Sequence, residues 1–261
     1  MKFNICLMKN AIICSAFALL NLLFTGSTTA QGHRPPGRSA EQVQKDIAQS
    51  RAQLQQATSD TAKARIGIEL ASHLGFQNAD ETLEQIDAAC RRAERSQHAA
   101  TLLNTYTNAG GILQRLGRMD DALEHLKKGM TYIEKAQLPG VAGICYGNIA
   151  QIYMRQGVYE KALQYYQKSL TQFEKHAPNP DYEAMTFQQI GNIHMHAGQP
   201  SEAVPFFQKA AAGWEKTQSW GPLEGCYRNL GNAFQLMGDT AGASAAFEKA
   251  RQTAERLKKK G

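Results

Sequence analysis

The feature that most constrains this 261-residue chain is a pattern that returns four times between Tyr106 and Phe247. With Ala122, Ala162, Ala203 and Ala243 as anchors, successive spacings are 40, 41 and 40 residues. Twelve residues before each anchor stands a small residue (Gly110, Ala150, Gly191, Gly231), and seven after it another (Gly129, Ser169, Ala210, Ala250). Large residues lie four after it (Leu126, Tyr166, Phe207, Phe247) and sixteen before it (Tyr106, Tyr146, Phe187, Tyr227). Five before every anchor is glycine, at Gly117, Gly157, Gly198 and Gly238. Agreement at six positions in four copies identifies an internal array.

The spacing predicts a helical hairpin in each copy. Large residues seven apart with a small one between them, as in Tyr146, Ala150 and Tyr153, lie on one helix face. The small residue admits a partner helix, whose anchor alanine is expected to meet it. The glycine supplies a left-handed residue that ends the first helix. Starters for the second follow, with Asp239 as an N-cap and Pro200 at the first helical position. Pro139, Pro180 and Pro222 fall at entries to first helices. One hairpin cannot bury its own apolar face, so hairpins must stack. The fold class expected is all-α, a solenoid of helix-turn-helix repeats.

The order of Tyr146, Ile149, Ala150, Tyr153, Gly157, Ala162 and Tyr166 resembles the tetratricopeptide repeat. The likeness extends over roughly residues 103 to 258. It departs from the family's usual spacing of about 34 residues. The longer period, with Gly147-Asn148, Gly191-Asn192 and Gly231-Asn232 in the first helices, is similar to the kinesin light chain and Leu-Gly-Asn adaptor branch. Bacterial Rap-type regulators share that branch. The resemblance implies a right-handed superhelix whose first helices line a peptide-binding groove.

Residues 1–30 read as a secretory signal. Lys2 and Lys9 charge its start, Ala11 to Phe24 is predominantly apolar, and Thr28-Thr29-Ala30 offers small residues for cleavage before Gln31. Fourteen apolar-run residues fall short of the roughly 20 of a membrane span. An uncleaved anchor is the alternative, whereas the bulky Ile12-Ile13 before Cys14 argues against a lipoprotein. Cleavage would export the chain, periplasmic or secreted, with no stable membrane insertion. The formal charge of +6 would fall to +4 with the loss of Lys2 and Lys9, too weak and scattered for nucleic acid. Residues 31–39 form a packing-poor lead. A chain beginning Gln31-Gly32-His33 could hold copper(II) or nickel(II) through His33, although cyclisation of Gln31 would destroy the amine it needs. No cofactor or resident metal is expected. Cys90, Cys145 and Cys226 remain as an odd count, and are read as buried thiols.

The repeat domain is expected over 40–261, opened by a polar helix at 40–58 with Val43, Ile47 and Leu54 as a thin stripe. A worn repeat follows at 64–96, and four clear copies at about 103–142, 143–183, 184–223 and 224–258. Second helices carry apolar residues toward the next copy: Leu123, Leu163 and Val204; Met130, Leu170 and Ala211; Ile133, Phe173 and Trp214. In the fifth copy these become Ser244, Arg251 and Ala254, so the array is expected to end there. Pro205, past the first turn of its helix, is expected to bend it.

Candidate chemistry is sparse. His194 and His196 point apart on a helix, so they form no paired metal site, and His194 fills an apolar slot. No catalytic constellation is found, and no enzymatic activity is expected. The first helices carry a polar series outside the hairpin core. It comprises Asn108 and Arg115; Asn148, Gln151 and Arg155; Gln188, Asn192 and His196; and Arg228, Asn229 and Asn232, flanked by Asn104, Met154, Gln189, Met195 and Gln235. A side-chain amide offers donors and an acceptor, and so pairs with an extended peptide. Arginines add bonds to carboxylates, so the partner is expected to be a protein or peptide with acidic groups. Asparagine is a poor helix former, and its recurrence mid-helix favours a role. By resemblance, Asn148, Asn192, Asn229 and Asn232 match asparagines with which the family holds peptides. The expected function is an exported, non-enzymatic scaffold. Alternatives are self-association through the convex face or terminal edges, and a regulator that changes pitch on binding a peptide.

Overall fold

The computed structural model describes residues 39–75 and 77–260, save the side chain of Lys260. The leader, the lead through Arg38 and the His33 site lie outside the described residues. Two compact units are found, 1–43 and 44–261. Of the first, only the cap of one helix is described, where the Gln42 amide donates to Ser39 Oγ at 3.1 Å.

Twelve helices occur among the described residues. They are α1 Ala40–Gln56, α2 Asp60–Leu74, α3 Ala79–Ser96, α4 Ala99–Arg115, α5 Met119–Met130, α6 Ile133–Ala136, α7 Pro139–Arg155, α8 Tyr159–His176, α9 Pro180–His196, α10 Pro200–Thr217, α11 Trp220–Leu236 and α12 Thr240–Lys260. From α2 onward they pair as antiparallel hairpins, and each hairpin packs on the next, making the second unit an all-α solenoid. Helix α1 leans on the first hairpin through buried Ile47 and polar contacts, Arg51 to Glu81 at 2.6 Å and Ser50 to His73 at 3.3 Å.

First helices begin about four residues before the repeat starts read from the apolar pattern, and two of them carry side-chain caps. Ser59 accepts from the Ala62 amide at 3.2 Å, and Asn179 from the Tyr182 amide at 3.3 Å. At α3 the Glu81 amide donates to Asn78 Oδ1 at 3.1 Å, and Asn78 Nδ2 donates to the Glu81 carboxylate at 3.0 Å.

The hairpin turns follow the glycines. Gly117, Gly157, Gly198 and Gly238 have φ of +80°, +74°, +70° and +77°. In each, the next amide reaches back to a first-helix carbonyl, as Arg118 to Leu113 at 2.9 Å and Asp239 to Phe234 at 3.0 Å. This closes the helix end and reverses the chain. Between repeats, Gln97, Gln137 and Gln218 adopt left-handed φ of 52°, 52° and 57°. The joint after α8 differs, spanning Ala177 to Asn179 with φ −150° at Ala177, and this longer joint accounts for the single 41-residue interval.

Packing within a hairpin differs in one detail from the expectation. The small residue before the anchor lies chiefly under the large side chain four after it. A Cβ at Gly110 would sit 2.4 Å from Leu126 Cγ, and at Gly191 or Gly231 it would sit 2.7 or 2.6 Å from Phe207 or Phe247. The anchor alanine contributes its backbone, with the Ala122 carbonyl oxygen 3.2 Å from the same Gly110 point. Similarly, Gly129 makes room for Tyr106, whose Cβ would be 3.2 Å away.

Two features were not anticipated. The second helix of the first clear copy breaks at Thr131–Tyr132, where Tyr132 donates to the Gly129 carbonyl and its ring stacks on Tyr106. Above the large residue of each first helix rides a lysine six after the anchor, Lys128, Lys168, Lys209 and Lys249, with ammonium-to-ring distances of 5.2–6.0 Å. Pro205 lies on the exposed side of α10, and the helix runs through it. In the last hairpin Ser244 and Arg251 are exposed and Ala254 is half-buried.

Candidate functional site

First helices pack on successive first helices, and their outward rows form one continuous face. All eleven of the polar residues picked from the sequence are exposed or half-buried, none being in the core. They fall into three groups.

The first group converges. Asn108, Arg115, Asn148 and Gln151 line a recess of about 340 Å³ between α4, α7 and α9, together with Gln114 and Gln189. Gln114 Nε2 donates to Gln151 Oε1 at 2.7 Å, bridging two repeats. Glycine builds the recess. A Cβ at Gly111 would lie 3.4 Å from Asn148 Nδ2 and 4.0 Å from Arg115 Nη1, so both donors close over that bare backbone. Gly147 leaves Ser169 Oγ 3.5 Å from the same kind of point.

The second group is a relay. Asn229 Nδ2 donates to Asn192 Oδ1 at 3.3 Å, and Asn192 Nδ2 donates to Gln189 Oε1 at 3.2 Å, linking α11 to α9. Gln188 and Asn232 lie half-buried beside it on the same helices. In the third group the side chains are engaged elsewhere. Arg228 pairs with Glu224 at 3.8 Å, and Asn108 Nδ2, although it borders the recess, donates back to the Asn104 carbonyl at 2.8 Å. His196 is exposed and stacks on Tyr159 of the second helix α8, with 6.3 Å between centroids. Arg155 is exposed at the end of α7. His194 is half-buried rather than a core residue, its ring 5.3 Å from Phe206 and Nδ1 3.0 Å from Gln199 Oε1.

Electrostatics single out two recess residues. Burial among neighbouring protein atoms holds the Arg115 guanidinium below its ordinary pKa, although its outer surface meets solvent. Tyr166, only 2 % exposed, is pushed well above the usual phenol range by burial, with the charge of Arg155 pulling weakly the other way. Its hydroxyl has no hydrogen-bond partner. Sequence reasoning took Tyr166 for an apolar slot. The available signal was its hydroxyl, which Leu126, Phe207 and Phe247 lack at the equivalent position.

The thiols lie apart from this face. Cys145 donates to the Leu126 carbonyl at 3.5 Å and Cys226 to the Phe207 carbonyl at 3.2 Å, equivalent bonds two repeats apart. Burial pushes Cys90 and Cys226 up to about 12 and Cys145 to about 11, and all three are free. Among the described residues no group of three or more His, Cys, Asp or Glu is placed to hold a metal. No helix among them is long and apolar enough to cross a membrane.

Paired helices of this anatomy, repeated in register with a polar inner row, define a helical-repeat protein. Tetratricopeptide-repeat models match residues 142–218 and 225–257. The chain is a tetratricopeptide-repeat protein, and the α4–α5 hairpin outside those matches has the same build. BtubC from P. vanneervenii is similar in fold, with 19% identity, a TM-score of 0.75, and coverage of 85% of this chain and 93% of that one. A Podospora anserina kinesin light chain with nearly identical TPR-like repeats has 17% identity and a TM-score of 0.62, covering 78% and 100%. Aspartyl phosphate phosphatase F from Bacillus subtilis has 15% identity and a TM-score of 0.59, covering 81% and 68%. No curated protein matches the sequence.

Proposed function

We propose that this chain is an exported scaffold that captures a peptide or protein partner along the face of its first helices, without chemistry of its own. The observation that carries the reading is the run of amides that crosses repeat boundaries, from buried Gln114 through half-exposed Gln151, Gln189, Asn192 and Asn229. The half-exposed amides keep donors and acceptors beyond those spent on their neighbours, and these are free for a guest backbone. The internal bonds also hold these side chains in place, which lowers the ordering cost of binding. Arg115 and Arg155 favour acidic groups on the partner, whereas Arg228 is already engaged by Glu224. Export rests on the apolar leader before Gln31.

A photo-crosslinking residue placed at Gln188, beside the relay, tests the reading in the native compartment. A discrete partner trapped there, and lost when Asn148, Asn192 and Asn232 are replaced by alanine with helicity retained, supports it. Crosslinks that survive the triple replacement refute groove binding. Mass measurement of the exported protein checks the leader, with Gln31 expected as the first residue.

A second reading, self-association through the terminal edge, draws on Leu236, Met237 and Leu257, which are 66%, 46% and 38% exposed near the ends of the last two helices. Concentration-dependent sedimentation abolished by Leu236→Ser would favour it over partner capture.

A further inference from the structure

The recess between α4, α7 and α9 has chemistry that capture of an extended chain does not require. On its wall Tyr166 keeps a hydroxyl that is buried and bonded to nothing, where the other repeats use leucine or phenylalanine. Buried polar atoms are nearly always paired, so a phenol hydroxyl without a protein partner, on a residue that lines a cavity, marks a position where a bound group can supply the missing bond. Across the recess, Arg115 forms no ion pair and no hydrogen bond with the described residues. Its Nη1 and the Asn148 amide converge over Gly111.

The composition of the lining narrows the guest. No Asp, Glu, Lys or His contributes to it, so it offers one positive charge among neutral donors and acceptors. A guest with a free ammonium would find no carboxylate, and a dianion would find only one cation. The volume of about 340 Å³ lies near the lower bound of roughly 300–1,000 Å³ typical of small-molecule sites. It suits a molecule the size of one acylated amino acid better than a length of polypeptide.

We propose that this recess binds a small free carboxylic acid, its carboxylate on Arg115 and Asn148 and a second hydrogen-bonding group on the Tyr166 hydroxyl. A planar guanidinium takes a carboxylate through two parallel bonds, and the bare Gly111 backbone allows the oxygens to approach. The site shares Arg115, Asn148 and the recess glutamines with the capture face, whereas Asn192, Asn229 and Asn232 do not line it.

Titration of the full chain with N-acetylglycine, followed by calorimetry and ligand-observed NMR, tests the proposal. Saturable binding is expected, at least tenfold tighter than that of the neutral N-acetylglycinamide or of zwitterionic glycine. Arg115→Gln, at an exposed position, should weaken it tenfold or more. Tyr166→Phe, which installs the residue the next repeat carries at Phe207, should weaken it severalfold while leaving the fold intact. Asn229→Ala should leave acid binding unchanged, so that failure of the scaffold reading and failure of this one can be told apart. Equal binding of acid and amide, indifference to Arg115→Gln and Tyr166→Phe, or no saturable binding at millimolar acid would each overturn it.

Discussion

Gly110 and Gly111 are neighbours in the middle of α4, and replacing each by alanine should move stability in opposite directions. In an exposed helix interior glycine is worse than alanine by about 0.5–1 kcal/mol, and both variants recover that amount. At Gly111 the new Cβ meets nothing closer than 3.4 Å, so the gain stands. At Gly110 it would lie 2.4 and 2.7 Å from Leu126 side-chain carbons and 3.2 Å from the Ala122 carbonyl oxygen. Leu126 is fully buried, so relief requires the two helices to part or the leucine to leave its rotamer. Overpacking of this kind costs about 1–3 kcal/mol. The propensity gain is common to both variants and cancels in their difference, which isolates the packing cost. For a chain this size each kcal/mol moves Tm by about 2–4 °C, so the two melts should be separated by roughly 2–12 °C with Gly111→Ala the higher. Thermal and urea unfolding followed by circular dichroism read it directly. Equal shifts, or a more stable Gly110→Ala protein, would refute the close approach of α5 to α4 that the hairpin depends on.

Three further outcomes follow from the same physics. Thiols with pKa pushed up to about 11–12 are almost wholly protonated at neutral pH, so Cys90, Cys145 and Cys226 should resist iodoacetamide in the folded protein and react fully in denaturant, as counted by mass spectrometry. Tyr106, Tyr166 and Tyr227 are held above the ordinary phenol range, chiefly by burial and then, for Tyr106 and Tyr227, by their bonds to Glu94 and Glu215. Because the folded pKa is raised, this stabilisation is whole below the unfolded value of about 10 and is lost as pH rises above it. Ultraviolet titration should therefore find a class of tyrosines that ionises only together with alkaline unfolding, and smooth titration of all nine with the fold intact would contradict it. Gln137→Gly, at a left-handed φ of 52°, should raise stability by up to about 1 kcal/mol, a gain absent for Gln156→Gly, which lies in the right-handed region.

The hairpins were legible because the requirements for building them are local and periodic. A glycine must turn the chain, a small residue must face a large one, and both recur with each copy. What the sequence could not convey was how polar side chains share their bonds. Asn108 satisfies its amide on its own helix, Arg228 is taken by Glu224, and His196 turns toward Tyr159, all through rotamers that periodicity does not encode. Tyr166 was obscured for the opposite reason, because its ring suits a core position and only its oxygen makes it exceptional. The left-handed glutamines at the joints also escaped notice, since glutamine has no special preference for that conformation and is held there by the packing on either side.

The ties between repeats are short-ranged. Glu94 holds Tyr106, Leu126 holds Cys145, and Asn192 holds Asn229, each reaching one hairpin and no further. A molecule linked in this way has no single clasp. Stretched from its two ends in an optical trap, it should yield in successive steps of about 40 residues, the interval between copies. One abrupt rip of the whole length would mean that some longer tie binds the links together.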